Sequence, residues 1–111
     1  MRATALRLSI GLAVAALYPI GSAAAQDYRM VITNGTNLPI EYFYYSECKM
    51  NNWLGDRLGS NEVISPGGSR VFDMFDSIRD CCRDMRAKFT NGQTREKMNV
   101  NVCRESDWVV R

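Results

Sequence analysis

The chain has 111 residues, 14 Lys and Arg against 12 Asp and Glu, four cysteines and no histidine. Without imidazole there is no Ser-His-Asp or Cys-His nucleophile pair and no His-bearing zinc site, which closes the commonest routes to hydrolysis at neutral pH. The near balance of charge excludes a long basic stripe for nucleic acid or anionic lipid.

The first element is a predicted cleavable secretory signal, residues 1–25. Arg2 and Arg7 form its basic start, Leu8 to Ile20 its apolar stretch, and Ala23, Ala24 and Ala25 the small residues ahead of a cut before Gln26. The residue after the cut is not cysteine, which argues against a lipid anchor, and the apolar stretch is too short for an ordinary spanning helix. The expectation is a soluble exported product, periplasmic or secreted, with no membrane insertion after processing. Residues 26–111 then form one domain of 86 residues, in which 14 basic residues less Arg2 and Arg7 leave 12 against 12 acidic ones. Such a chain buries about 60 to 65% of the surface it exposes unfolded, so its core alone is marginal and covalent bracing is expected.

Tyr28 to Thr33 alternates and is rich in β-formers, and Asn34-Gly35-Thr36-Asn37 supplies turn chemistry, so a first hairpin is predicted. Its second arm, Leu38 to Tyr45, is partly apolar at both parities, as a central strand would be. Ser46 to Ser60 reads as a loop pinned to the core by Trp53, Leu54 and Leu58, and a single helical turn around 52–58 or 76–80 would not change the class. Ser65-Pro66-Gly67-Gly68 is a turn, followed by a strand from Arg70 to Phe75. Cys81 to Phe89 and the return through Met98, Val100 and Val102 form the clearest hairpin, with Asn91-Gly92 as a two-residue type I′ loop. That loop sets Met85 opposite Met98 and Arg83 opposite Val100, giving a continuous apolar face along much of the hairpin. Asp107 to Arg111 closes the chain as a short strand. The fold class is therefore all-β: a small, disulfide-braced antiparallel β-sandwich of six or seven strands, immunoglobulin-like or prealbumin-like.

Cys48, Cys81, Cys82 and Cys103 in an exported domain read as two disulfides, worth about 3 to 4 kcal/mol each in the chain-entropy model. Cys81 and Cys82 are neighbours in a predicted strand, point to opposite faces and should seek different partners. The hairpin register leaves open which of them meets Cys103. The spacings lack the C-x₂₋₄-C knuckles of structural zinc and the C-x-x-C of redox sites, and no cofactor is implied.

The ordered series Ser46, Trp53-Leu-Gly-Asp56-Arg-Leu58-Gly59, Pro66-Gly67, Asp84-Met-Arg86-Ala-Lys-Phe89-Thr-Asn-Gly92 and Val100-Asn-Val102-Cys103 resembles a family of small exported bacterial β-domains. The family pattern runs S-x(n)-W-x-x-D-x-L-G, P-G, C-x-x-D-L-R-x-x-F-x-[DN]-G and V-x-[LV]-C, after an N-x-[ST] turn like Asn34-Gly35-Thr36. The resemblance covers nearly all of residues 26–111 and implies a compact β-sandwich outside the cytoplasm, in a family whose members are mostly uncharacterised. It aligns the family cysteine with Cys81 and so implies a Cys81–Cys103 bridge, which leaves Cys48 with Cys82. Cys82–Cys103 with Cys48–Cys81 is the alternative.

Candidate chemistry is sparse. Asp73 with Asp76, and Asp80 with Asp84, are carboxylate pairs of the kind glycosidases use, in a domain small for a sugar-sized cleft. Met30, Met50, Met74, Met85 and Met98 read as core filling rather than soft copper ligands. Asp56, near Asn51, Asn52, Asn61 and Glu62, reads as an aspartate bonding its own turn rather than as a calcium ligand. Arg79, Arg83, Arg86 and Lys88, interleaved with Asp80 and Asp84, read as a solvated mixed-charge face. Trp53 is expected to cap the core. Some of Tyr42, Phe43, Tyr44 and Tyr45 must stay outside it, so Tyr42, Tyr44, Tyr45, Trp53 and Asp56 are the candidate binding surface. The function expected is a non-catalytic binding or structural module contacting another exported or cell-surface protein. The alternatives are an inhibitor that presents the Ser46 to Ser60 loop to a lysozyme or protease, and a small carboxylate enzyme.

Overall fold

The computed structural model describes residues 28–75 and 80–111. The predicted signal, its cut between Ala25 and Gln26, and Asp76 and Arg79 lie outside them. Six strands, β1 (Arg29–Asn34), β2 (Ile40–Glu47), β3 (Ser69–Asp73), β4 (Cys82–Phe89), β5 (Thr94–Asn101) and β6 (Asp107–Val110), form two three-stranded sheets in the orders β3-β1-β6 and β2-β4-β5. The sheets pack face to face as a small β-sandwich, with no helix among the described residues. Residues 52–58 in particular run as irregular chain.

Alternation builds the core. Met30 and Ile32 of β1, Phe72 of β3 and Val110 of β6 meet Phe43 and Tyr45 of β2 and Met85, Ala87 and Phe89 of β4. Phe43 stacks on Phe72 with ring centres 4.6 Å apart, joining the two sheets. Met30, Met74 and Met85 fill core space, whereas Met50 and Met98 are about half exposed and do not.

Four expectations about pairing are corrected. β1 and β2 do not pair: β1 pairs antiparallel with β3, and β2 with β4. The Asn34–Asn37 segment is a crossing between sheets, held by Asn34, which is fully buried. Its Nδ2 donates to Leu38 O at 2.7 Å and Ile64 O at 2.9 Å, while its Oδ1 accepts from Thr36 N at 3.0 Å and Thr36 Oγ1 at 2.7 Å. A two-strand turn has no use for such a network. β2 is consequently an edge strand, and β4 is central in its sheet. β6 runs parallel to β1, because it arrives by crossing from the other sheet and no hairpin constrains its direction.

The fourth correction concerns the β4–β5 hairpin. Its loop has three residues, Thr90 to Gly92, closed by Phe89 N to Gln93 O at 2.8 Å, with Gly92 at φ 88°. That is the three-residue hairpin with a left-handed glycine rather than the type I′ turn. The extra loop residue slips the register, so Met85 faces Lys97; a bulge then restores it, so Arg83 does face Val100. Between those pairs Met98 and Asn99 both stand opposite Asp84, with Asn99 at φ 57°. The slip places Lys97, Arg95 and Gln93 across from Met85, Ala87 and Phe89, which ends the continuous apolar face and turns Met98 outward.

The disulfides are Cys48–Cys82 and Cys81–Cys103. They leave adjacent residues at the start of β4 in different directions, one to the chain after β2 and one to the chain after β5. Two disulfides belong to an oxidising environment. Arg83 is buried rather than part of a solvated face: it shares parity with Met85, and its Nε donates to Met74 O at 3.0 Å and its Nη1 to Asp80 O at 2.7 Å. The guanidinium thereby ties the chain on both sides of 76–79.

Candidate functional site: the outer face of β2-β4-β5

Residues two apart on a strand share a face, so the side chains that alternate with the core set form a grid on the outside of this sheet. Its rows are Tyr42, Lys88 and Thr94; Tyr44, Arg86 and Glu96; and Ser46, Asp84 and Met98. Tyr42 and Tyr44 stack with ring centres 6.3 Å apart, and Lys88 Nζ lies 5.6 Å from the Tyr42 ring centre. Arg86 Nε donates to Glu96 Oε2 at 2.7 Å and its Nη2 donates to the same oxygen.

Trp53 reaches this face from the loop after β2. Instead of capping the core it sits over Arg86, whose Cζ is 4.6 Å from the ring centre. The loop leaves β2 at the Cys48–Cys82 bridge and turns through Lys49, Asn51 and Leu54, all at positive φ of 56° to 67°. Asn52 Oδ1 accepts from Leu54 N at 2.8 Å, which holds that turn. Leu54 itself is 43% exposed and pins nothing; of the three expected anchors only Leu58 enters the core.

The loop then seals the edge of β2. Asp56 Oδ1 accepts from Phe43 N at 2.9 Å and from Leu58 N at 3.0 Å, while Arg57 N donates to Phe43 O at 2.7 Å. Both carboxylate bonds go to backbone, and among the described residues no group of three or more Cys, Asp or Glu is placed to hold a metal. The Arg57 guanidinium stacks 3.9 Å from the Tyr45 ring centre and donates to Tyr45 O. Tyr45 is a core residue whose hydroxyl donates to Asp73 O at 3.0 Å, so it leaves the candidate surface. Its neighbour Tyr44 stays there; partial burial, the Asp56 carboxylate and Tyr42 raise its phenol pKa against the opposing pull of Arg86.

The face dips into a groove of about 310 Å³ lined by Trp53, Met98, Arg86 and Glu96, with Asp84 its most buried charged residue and Asn51 and Asn52 exposed. Ser46, Trp53 and the pair Asp84 and Arg86, from three separate stretches of the sequence, all line it. A second, wider depression of about 660 Å³ lies beyond Tyr42, bounded by Glu41, Asp56 and Glu62. Three of the four carboxylates suggested for catalysis each accept one backbone hydrogen bond: Asp73 Oδ1 from Phe75 N, Asp80 Oδ1 from Cys82 N and, across strands, Asp84 Oδ1 from Asn99 N. Comparison with family models, with curated proteins and with solved structures finds no match.

Of the expected surface residues, Tyr42, Tyr44, Trp53 and Asp56 lie outside the core and Tyr45 does not, and Asp84, Arg86, Glu96 and Met98, outside the expected set, join them. For Asp84 and Arg86 the signal was present, since they occupy the parity opposite Met85, Ala87 and Phe89. For Met98 it was not, because the three-residue loop slips the register and turns it outward, and the bulge then returns Val100 to the core.

Proposed function

We propose that this chain is an exported, non-catalytic module that binds another protein through the outer face of β2-β4-β5. The observation that carries this is the composition of that face. Tyr42, Tyr44, Trp53, Met98 and Arg86 are the residue types that interface centres favour, and Met98 and Tyr42 remain 49% and 37% exposed. The cations on the face lie against aromatic rings or carboxylates, which holds its side chains in place and leaves little ordering cost on binding. The signal-like residues 1–25 and the two disulfides support the exported part of this reading.

The test is photo-cross-linking of the whole chain in an exporting bacterial host. A photoreactive residue at Tyr42 or Met98 is expected to trap a defined protein adduct, while one at Val71, exposed on the opposite sheet, traps none. Adducts equal at all three positions, or absent at Tyr42 and Met98, overturn the proposal.

A second reading, inhibition of a hydrolase by the loop after β2, is favoured by one specific feature. That loop is braced by a disulfide and by Asp56, carries three non-glycine residues at positive φ, and exposes Met50 and Leu54. Inhibition of a lysozyme or protease that is lost in Met50→Asp with Leu54→Asp would select it over the first reading.

A further inference from the structure

Asp84 is the carboxylate that the outer face buries. Its side chain lines the groove although the residue is only 6% exposed. Oδ1 accepts from Asn99 N at 2.8 Å, which fastens the β5 bulge. Among the described residues it has no cationic partner: the ion pairs are Arg70–Glu62, Arg86–Glu96 and Lys97–Glu105. Arg86, the next residue along β4 on the same face, is turned onto Trp53 and Glu96. Its Oδ2 accepts no hydrogen bond and is not sealed off, so that oxygen is open to whatever enters the groove, and a cation there would meet a carboxylate held in place by the bond at Oδ1.

The groove therefore has one uncompensated negative charge, because Arg86 and Glu96 cancel. It is lined by the Trp53 indole and the Met98 thioether, with the amides of Asn51 and Asn52 exposed. A long aliphatic stem would lie against Trp53 and Met98, a cationic head would reach Asp84, and amide oxygens would take spare N–H groups. We propose that the groove receives a basic side chain, lysine or arginine, of the protein partner. This rests on reading the face as a protein-binding surface and names what that surface recognises. A volume of about 310 Å³ suits one such side chain rather than a length of peptide.

The experiment is a titration of the ¹⁵N-labelled protein with Nα-acetyl-lysine methylamide, read at the Trp53 indole N–H and the Asn99 amide. Trp108, half-buried between the sheets, is the internal control. A saturable shift at Trp53 and Asn99 is expected, weak as befits a single side chain and weaker in added salt. Nα-acetyl-norleucine methylamide, the neutral isostere, should leave both signals in place. Asp84→Asn keeps an acceptor for Asn99 N–H and should lower the affinity about tenfold. Should that variant fail to fold, the salt dependence in the unmodified protein decides. The proposal is overturned by equal binding of the norleucine compound, by salt-independent binding, or by a saturable shift with N-acetylglucosamine alone, which would make the groove a sugar site. A flat titration alongside specific adducts at Tyr42 and Met98 would discard this inference and leave the protein-binding face standing.

Discussion

Two Asn-Gly pairs in this chain have the same local chemistry and opposite fates. Asn91-Gly92 is the exposed tip of a hairpin, where Gly92 takes the left-handed conformation. Asn34-Gly35 lies in a crossing between sheets, and Asn34 is sealed from water. Gly35 is there for closeness rather than for φ: its N–H donates to Val110 O at 2.7 Å, and a Cβ would stand 2.9 Å from both Val109 Cγ1 and Val110 O. Asn-Gly licenses a reversal of the chain without saying whether the arms will pair. That is settled by what else reaches the turn, here the carbonyls of Leu38 and Ile64 and the end of β6.

The largest expected difference is between the asparagines. Asn34→Ala removes all four hydrogen bonds of a fully buried side chain and leaves the Thr36 N–H without its acceptor, while Leu38 O keeps Thr36 Oγ1 and Ile64 O keeps Ile40 N; it should cost about 2 to 3 kcal/mol in urea unfolding, whereas Asn91→Ala removes one exposed bond to Gln93 N and should cost about 0.5 kcal/mol. Equal costs would break the comparison. The glycines should differ in cause more than in size. Gly35→Ala collides with backbone and should cost about 1 to 3 kcal/mol, and Gly92→Ala about 1 kcal/mol through its φ. Asparagine tolerates the left-handed region, so Gly92→Asn should recover most of the loss while Gly35→Asn does not.

The smallest effect is electrostatic and confined to the crossing. Gly68 O accepts from Asn34 N, and the chain leading to that turn is braced by Glu62. Hydrogen bonds from Arg70 and the Gly59 N–H, with the Arg70 charge, hold the Glu62 carboxyl below its ordinary range. A folded-state pKa below the unfolded one means a stabilising contribution present above the unfolded pKa and lost as pH falls through the folded value. Carboxyl NMR should show Glu62 titrating low and returning upward in Arg70→Ala. Signals of the Thr90–Gln93 tip should not move in that pH range.

The strands were legible because alternation is local: Met85, Ala87 and Phe89 mark one face of β4 wherever that strand lies in the sheet. Trp53 was misplaced because a tryptophan beside leucines reads as core, and its docking on Arg86 depends on a loop path set by the Cys48–Cys82 bridge and the Asp56 bonds. Arg83 was misread for the converse reason. Its charge suggested solvent, while its parity with Met85 pointed inward, and carbonyls from Met74 and Asp80 made burial tolerable.

By itself the sequence determined the all-β class, most strand positions, the need for two bridges, and the exclusion of histidine chemistry. These follow from composition and from a period of two, which short stretches of chain carry in full. Which strands pair, which edge the loop seals, and that Met98 joins Asp84 and Trp53 in one groove were decided only by the tertiary structure. Pairing depends on contacts far apart in sequence, and a one-residue slip or bulge reverses the face of every side chain beyond it.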